Sequence, residues 1–176
     1  MKKLFSISIA ATFLMGCSAA MQPAKQVDIP YSFNLVAMKQ QLEQGKETIK
    51  GNAFLRQQGG GTVNCAGSKV DLYPYSQYSM ARIEAQYPMD IWLGGRIKSK
   101  DTFKPVVPEF ESLKLTTVCD SEGNFEFDGV KNGDYILVTE VLWNVPSSYG
   151  MQRQGGYLFQ KVAIAKGQKS KVIITQ

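Results

Sequence analysis

The stretch from Thr116 to Val138 restricts the fold more than any other part of the chain. It reads as three short strands joined by two tight turns, since alternating β-branched and aromatic residues are interrupted by clusters of Gly, Asp and Asn. Asp120 to Asn124 is expected to form a hairpin loop between the Thr/Val strand and Phe125-Glu126-Phe127. Gly129 to Asp134 is the second turn, with Gly133 at a positive φ or in close backbone approach. In the strand that follows, Tyr135, Leu137, Thr139 and Val141 share one face, and Ile136, Val138 and Leu142 the other. A strand apolar on both faces belongs at the centre of a sheet.

The flanking sequence continues the pattern. Glu47 to Leu55 alternates, with Ile49, Gly51, Ala53 and Leu55 on one face. Gly59-Gly60-Gly61 is a turn, Val63 and Cys65 point one way, and Lys69 to Tyr73 places Val70 and Leu72 inward. A last strand pair is expected at about Tyr157–Ile164 and Lys169–Thr175, with Gly167 between. Short alternating strands with glycine turns predict an all-β sandwich. Residues 31–45 are expected to hold a short helix, with Asn34 as N-cap, Leu35, Met38 and Leu42 at helical spacing, and Gly45 at C′. Its single apolar stripe covers an open edge or end of the sandwich, or docks a partner.

Three motifs together resemble the carboxypeptidase regulatory-like, transthyretin-like domain. They are Ile49-Lys50-Gly51, then Ala66-Gly67-Ser68-Lys69-Val70-Asp71-Leu72, then the run in which Asp120, Gly123, Phe125, Phe127, Val130, Gly133, Tyr135 and Leu137 fall in register. The resemblance implies a transthyretin-like (prealbumin-like) β-sandwich of about seven strands over residues 46–176, in a family of mostly non-catalytic modules. Two stretches depart from the family pattern, insertions at 74–111 and 143–156. In the first, Ser79 is expected to cap a helix from Met80 to Gln86 that stops before Pro88, and Asp90 to Ile97 to add an extended piece.

The first residues read as an address. Met1-Lys2-Lys3 precedes an apolar run, Leu4 to Leu14, too short to span a bilayer and suited to a signal peptide over residues 1–16. Leu14-Met15-Gly16-Cys17 resembles the bacterial lipobox, which implies cleavage before Cys17 and its acylation with palmitate-type chains; an ordinary secretory signal is the alternative. Several acyl chains at about 0.8 kcal/mol per buried CH₂ hold a protein permanently at a membrane. Ser18, in place of Asp, implies a periplasm-facing position on the outer membrane, with inner-membrane retention as the alternative. Residues 17–30 lack apolar periodicity and read as a flexible tether.

The chain has no histidine, which removes a Ser-His-Asp triad, a Cys-His pair and every His-ligated metal site. Its formal charge of +5 falls to +3 without Lys2 and Lys3, and its lysines are scattered apart from Lys161, Lys166, Lys169 and Lys171, so no nucleic-acid partner is expected. Asp120 to Asn124 lacks the alternating ligands of a calcium loop, and carboxylate pairs such as Asp128 with Asp134 sit on turns. No catalytic residues, cofactor or metal are expected. In an oxidising compartment Cys65 and Cys119 are expected to form a disulfide pinning the flanks of the first insertion, the alternative being two separately buried thiols. The insertions supply the candidate binding surface, Tyr75, Tyr78, Trp92, Trp143, Tyr149 and Arg153, unless the rings merely fill the core. The leading expectation is a lipid-anchored, non-enzymatic envelope protein acting as a protein-interaction or structural module. A carbohydrate- or small-ligand-binding module and a secretion-apparatus lipoprotein, such as the transthyretin-like lipoprotein of type VI secretion, are the alternatives.

Overall fold

The computed structural model describes residues 23–57, 59–90, 95–167 and 170–175. The expected signal peptide, the expected lipidation site Cys17 and Trp92 lie outside the described residues. In chain order the strands are β1 (Gln26–Asp28), β2 (Glu47–Arg56), β3 (Thr62–Asn64), β4 (Lys69–Pro74), β5 (Met89–Asp90) and β6 (Gly95–Arg96). They continue with β7 (Thr102–Lys104), β8 (Leu115–Val118), β9 (Asn124–Val130), β10 (Gly133–Ser147), β11 (Gly150–Ile164) and β12 (Ser170–Ile174). Two helices, α1 (Leu35–Gln41) and α2 (Gln77–Gln86), and a 3₁₀ turn at Phe110–Ser112 complete the described elements. None of these helices is long and apolar enough to cross a membrane.

Two sheets face each other. One has six strands in the order β5-β6-β11-β10-β4-β8, and the other has β2 at its centre with β12 on one edge. The Ala53 N–H donates to Gly123 O and the Ala53 carbonyl accepts from Cys65 N. Both groups of one strand residue point to the same edge, so β9 and β3 share the second edge of β2, end to end. Ile49, Ala53, Leu55, Phe125, Phe127 and Ile174 from the smaller sheet meet Val70, Leu72, Tyr135, Leu137, Val141 and Leu158 from the larger one. This is the all-β sandwich expected, with β10 central between β11 and β4.

The Thr116–Val138 run forms three strands, but its first two are not a hairpin. β8 pairs with β4 in one sheet, while β9 pairs with β2 in the other. The turn between them is tight: Asp120 N donates to Asn124 O and Gly123 N to Asp120 O. Gly123 sits at φ +80, and a Cβ there would also press on Asn64 Cβ at 2.6 Å. The chain crosses between sheets at this point, and Cys119, just before the turn, is bridged to Cys65 at the matching crossover from β3 to β4. The disulfide therefore closes one end of the β4–β8 pair and the first insertion leaves from the other. The expected strand pair at the C-terminal end is likewise split, with β11 beside β10 and β12 parallel to β2. At the second turn Gly133 has φ +141, and the Tyr135 hydroxyl donates back to Lys131 O at 3.0 Å, tying the turn to the strand it begins.

The described parts of both insertions are ordered structure. Those of residues 74–111 build a third layer over the outer face of the six-stranded sheet, where Phe110 stacks on Tyr73 and Tyr78 packs edge-on against Phe33 and Phe110. Residues 143–156 prolong β10 and β11 as a paired ribbon from Trp143↔Gln154 to Ser147↔Gly150. α1 begins at the expected cap, since the Asn34 side chain accepts from Ala37 N at 3.0 Å, and Met38 is buried against the third layer. Gly45 is not its C′ residue; it lies beyond the helix end at Leu42 and donates to Gly129 O, so close to Val130 that no Cβ fits. α2 starts three residues earlier than expected: Ser76 is the cap and Ser79 is the residue whose N–H it accepts. The stretch read as a tether is docked over part of its length. β1 pairs in parallel with β7, and Ile29, two residues from Val27, is buried beneath the third layer. That apolar alternation is what makes residues 26–29 adhere.

Candidate functional site

Beyond Val138 the outer face of β10 changes character, from Ile136 and Val138 to Glu140 and Leu142. The third layer stops short of this region, leaving an open cleft of about 680 Å³. Its floor is Glu140, Leu142 and Tyr157, and Gln152, Arg153 and Gln154 of the ribbon form one side. Arg96, Ile97 and Lys98 form the other. This second wall depends on two glycines, Gly95 and Gly156. A Cβ on Gly156 would strike the Arg96 backbone, with Arg96 N at 2.7 Å, and a Cβ on Gly95 would strike Gly155. Without side chains at these positions, β6 lies directly on β11 with Arg96 opposite Tyr157.

The wall is held firmly. The Arg96 guanidinium donates to Tyr87 O at 2.9 Å and lies over the Phe159 ring at 4.5 Å, so its charge is fixed in place. Ile97 N donates to Pro88 O and Ser99 N to Gln86 O, which fixes Lys98 between two backbone anchors. The Tyr157 ring rests on Tyr87, with centroids 4.5 Å apart. Burial raises the Tyr157 phenol above the ordinary tyrosine range, the Glu140 carboxylate raises it further, and Arg153 opposes both. The phenol therefore stays a neutral donor and acceptor between a carboxylate and a guanidinium. A second depression of about 390 Å³ borders the first along Lys98, Glu140 and Tyr157. Its other residues include Lys69, Asp71, Glu111 and Lys114. There Lys114 pairs with Asp71 at 2.7 Å, and Glu111 is met by Arg82 at 3.7 Å and by the Tyr73 hydroxyl.

A depression of similar size, about 640 Å³, lies by β2 and β9. Most of its polar groups satisfy one another, Lys50 with Glu126, Asn52 with Asn124, and Asn124 with Asp120, which leaves one cation, Lys171, without an ionic partner among the described residues. In the Tyr157 cleft, by contrast, Lys98 and Arg153 have no ionic partner among the described residues. Uncommitted polar groups around a half-buried ring mark the better binding site. Among the described residues no cluster of three or more His, Cys, Asp or Glu is placed to hold a metal ion.

Among the described residues of the surface expected from sequence, only Arg153 lines this cleft. Tyr78 is 1% exposed and belongs to the third-layer core. Tyr75 is half-buried under the Lys161 ammonium, which also pairs with Asp134. Trp143 points toward the inter-sheet core, its ring 2.7 Å from where a Gly155 Cβ would stand. Tyr149 stands at the ribbon tip, 95% exposed. Trp92 lies outside the described residues. Sequence reasoning missed Arg96, Lys98, Glu140, Gln152, Gln154 and Tyr157. The available signal was Glu140, a carboxylate within the Tyr135–Leu142 stretch that is otherwise apolar apart from Thr139, opposite Tyr157 beside the Gly155-Gly156 pair.

No family model matches the chain, and no curated protein matches it. Among solved structures it resembles a crystal structure from Pseudomonas aeruginosa of a protein put forward as carbohydrate binding, with a TM-score of 0.67 and 24% sequence identity. The match covers 83% of this chain and 99% of that one. At that identity the likeness establishes a shared fold.

Proposed function

We propose that this chain is a non-enzymatic carbohydrate-binding module of the bacterial envelope, anchored by lipid at Cys17 and facing the periplasm from the outer membrane. The observation that carries the reading is the Tyr157 cleft. A carboxylate, a guanidinium, an ammonium and two amides surround one aromatic face, and vicinal sugar hydroxyls need that mixture of donors and acceptors beside an apolar ring. The P. aeruginosa neighbour, itself put forward as carbohydrate binding, supports the choice. The motif resemblance supports assigning the sandwich to the transthyretin-like, carboxypeptidase regulatory-like group. The missing histidines and the lipobox support the non-enzymatic, membrane-anchored part.

The test is a glycan array probed with the purified protein and with Tyr157→Ala and Arg153→Ala. The reading expects wild-type binding that Tyr157→Ala abolishes or weakens at least tenfold and that Arg153→Ala weakens roughly two- to fivefold, with circular dichroism showing the sandwich still folded in both. Binding unchanged in both variants contradicts it. A second reading, a protein-docking arm, is favoured by the ribbon tip, where Tyr149 is 95% and Met151 66% exposed. A partner crosslinked by wild type and lost with Tyr149→Ser and Met151→Ser would establish that reading instead.

A further inference from the structure

We infer that the ligand of the Tyr157 cleft is an acidic oligosaccharide longer than one sugar ring; this rests on the carbohydrate reading above. Two observations on the outer face of the six-stranded sheet lead there.

The first is charge. Around the larger depression stand Arg96, Lys98 and Arg153, against Glu140 alone. The acids of the smaller one are already matched, Asp71 by Lys114 and Glu111 by Arg82. Lys69, Lys98 and Arg153 have no ionic partner among the described residues, and Arg96 spends its donors on a carbonyl and its face on Phe159. The surplus is cationic and lies where a ligand would. A guanidinium fork facing an ammonium across the cleft matches a carboxylate or sulfate substituent held between them. Glu140, at the centre, is left for ring hydroxyls.

The second is length. The two depressions meet at Lys98, Glu140 and Tyr157, and together they run from β6 across β11, β10 and β4 to the flank of β8. Four interstrand steps of about 4.8 Å make this roughly 19 Å. That is more than one sugar ring occupies, so an extended chain crosses the floor at Tyr157 with an acidic unit against Arg153 and Lys98.

Calorimetric titration of the purified protein with four probes tests this: galacturonate, tetragalacturonate, a sulfated heparin tetrasaccharide and neutral chitotetraose. Tetragalacturonate or the sulfated tetramer should bind at least tenfold tighter than chitotetraose and than galacturonate. The advantage over the neutral tetramer should shrink between 50 and 500 mM NaCl, because exposed charge pairs are screened. Lys98→Gln and Arg153→Gln should each weaken the acidic tetramer roughly two- to fivefold and weaken chitotetraose by less. Lys69→Gln should weaken the tetramer and not the monomer. Which acidic tetramer is preferred assigns the substituent as carboxylate or sulfate. Equal affinity for chitotetraose and both acidic tetramers overturns the charge assignment while the carbohydrate reading stands. A tetramer no tighter than galacturonate overturns the length assignment. Binding of none of the four at millimolar concentration overturns this inference and counts against the reading beneath it.

Discussion

Gly51→Ala tests the packing of β9 on β2 at the inter-sheet core. Gly51 lies in β2 opposite Phe125 of β9, and the far end of that ring covers its α-carbon. A methyl group there would fall inside the ring, with Phe125 Cε1 at 2.7 Å and Cε2 at 2.8 Å. Phe125 is 3% exposed and packs edge-on against Phe127, so the ring has nowhere to swing. In an open strand, alanine in place of glycine gains about 0.5–1 kcal/mol. Overpacking costs about 1–3 kcal/mol. The net expectation is a loss of about 1–2 kcal/mol, or roughly 3–6 °C in melting temperature for a domain of this size. Thermal and urea unfolding of the disulfide-intact protein measure it. Leucine lacks the Cε and Cζ atoms, so in a Phe125→Leu background the same substitution should cost little, giving a coupling energy above about 0.5 kcal/mol. A Gly51→Ala protein as stable as wild type, or an equal loss when Gly51→Ala is made on top of Phe125→Leu, refutes the reasoning.

Reducing the Cys65–Cys119 bridge, or replacing both cysteines with serine, removes a link across a separation of 54 residues; the chain-entropy model puts the loss at about 4 kcal/mol, read as a fall in the urea midpoint at constant temperature. Asp120 accepts from the N–H groups of Asn124 and Glu122 and from the Asn124 side chain, and the Asn124 bonds lead in holding its carboxyl below the usual range. Its contribution is therefore complete above about pH 3.9 and is lost as pH falls through the lower folded value, so Asp120→Asn should flatten the acid limb of the stability–pH profile below about pH 4. Gly156→Ala should lift β6 from β11 and weaken glycan binding with little effect on the sandwich, seen as lost affinity at a melting temperature within a few degrees of wild type.

The sandwich was legible because its inward positions alternate strictly: Ile49, Gly51, Ala53 and Leu55 are buried along β2, and Tyr135, Leu137, Thr139 and Val141 along β10. Two cysteines in a chain with that compartment signal made the bridge legible as well. Strand partnership was not. A tight turn such as Asp120–Asn124 has the same local chemistry whether it closes a hairpin or carries the chain to the opposite sheet, and what differs is long-range, β8 pairing with β4 and β9 with β2. The aromatics of the first insertion drew attention as a surface, yet Tyr78 and Phe110 bury their rings over Tyr73, because the outer face of β10 is too apolar to be left wet. The cleft escaped notice for the opposite reason. Its charged residues come from β6, β10 and β11, far apart in sequence, and glycines bring them together by being absent as side chains.

The most direct test of glycan binding at Tyr157 is a titration of the ¹⁵N-labelled protein with tetragalacturonate and with chitotetraose, following backbone amides by NMR. Binding in the cleft predicts shifts concentrated at Lys98, Gly155, Gly156 and Tyr157, with Tyr149 and Asn52 still. Shifts confined to the ribbon tip at Tyr149–Met151, or to the depression by Asn52 and Asn124, would contradict it.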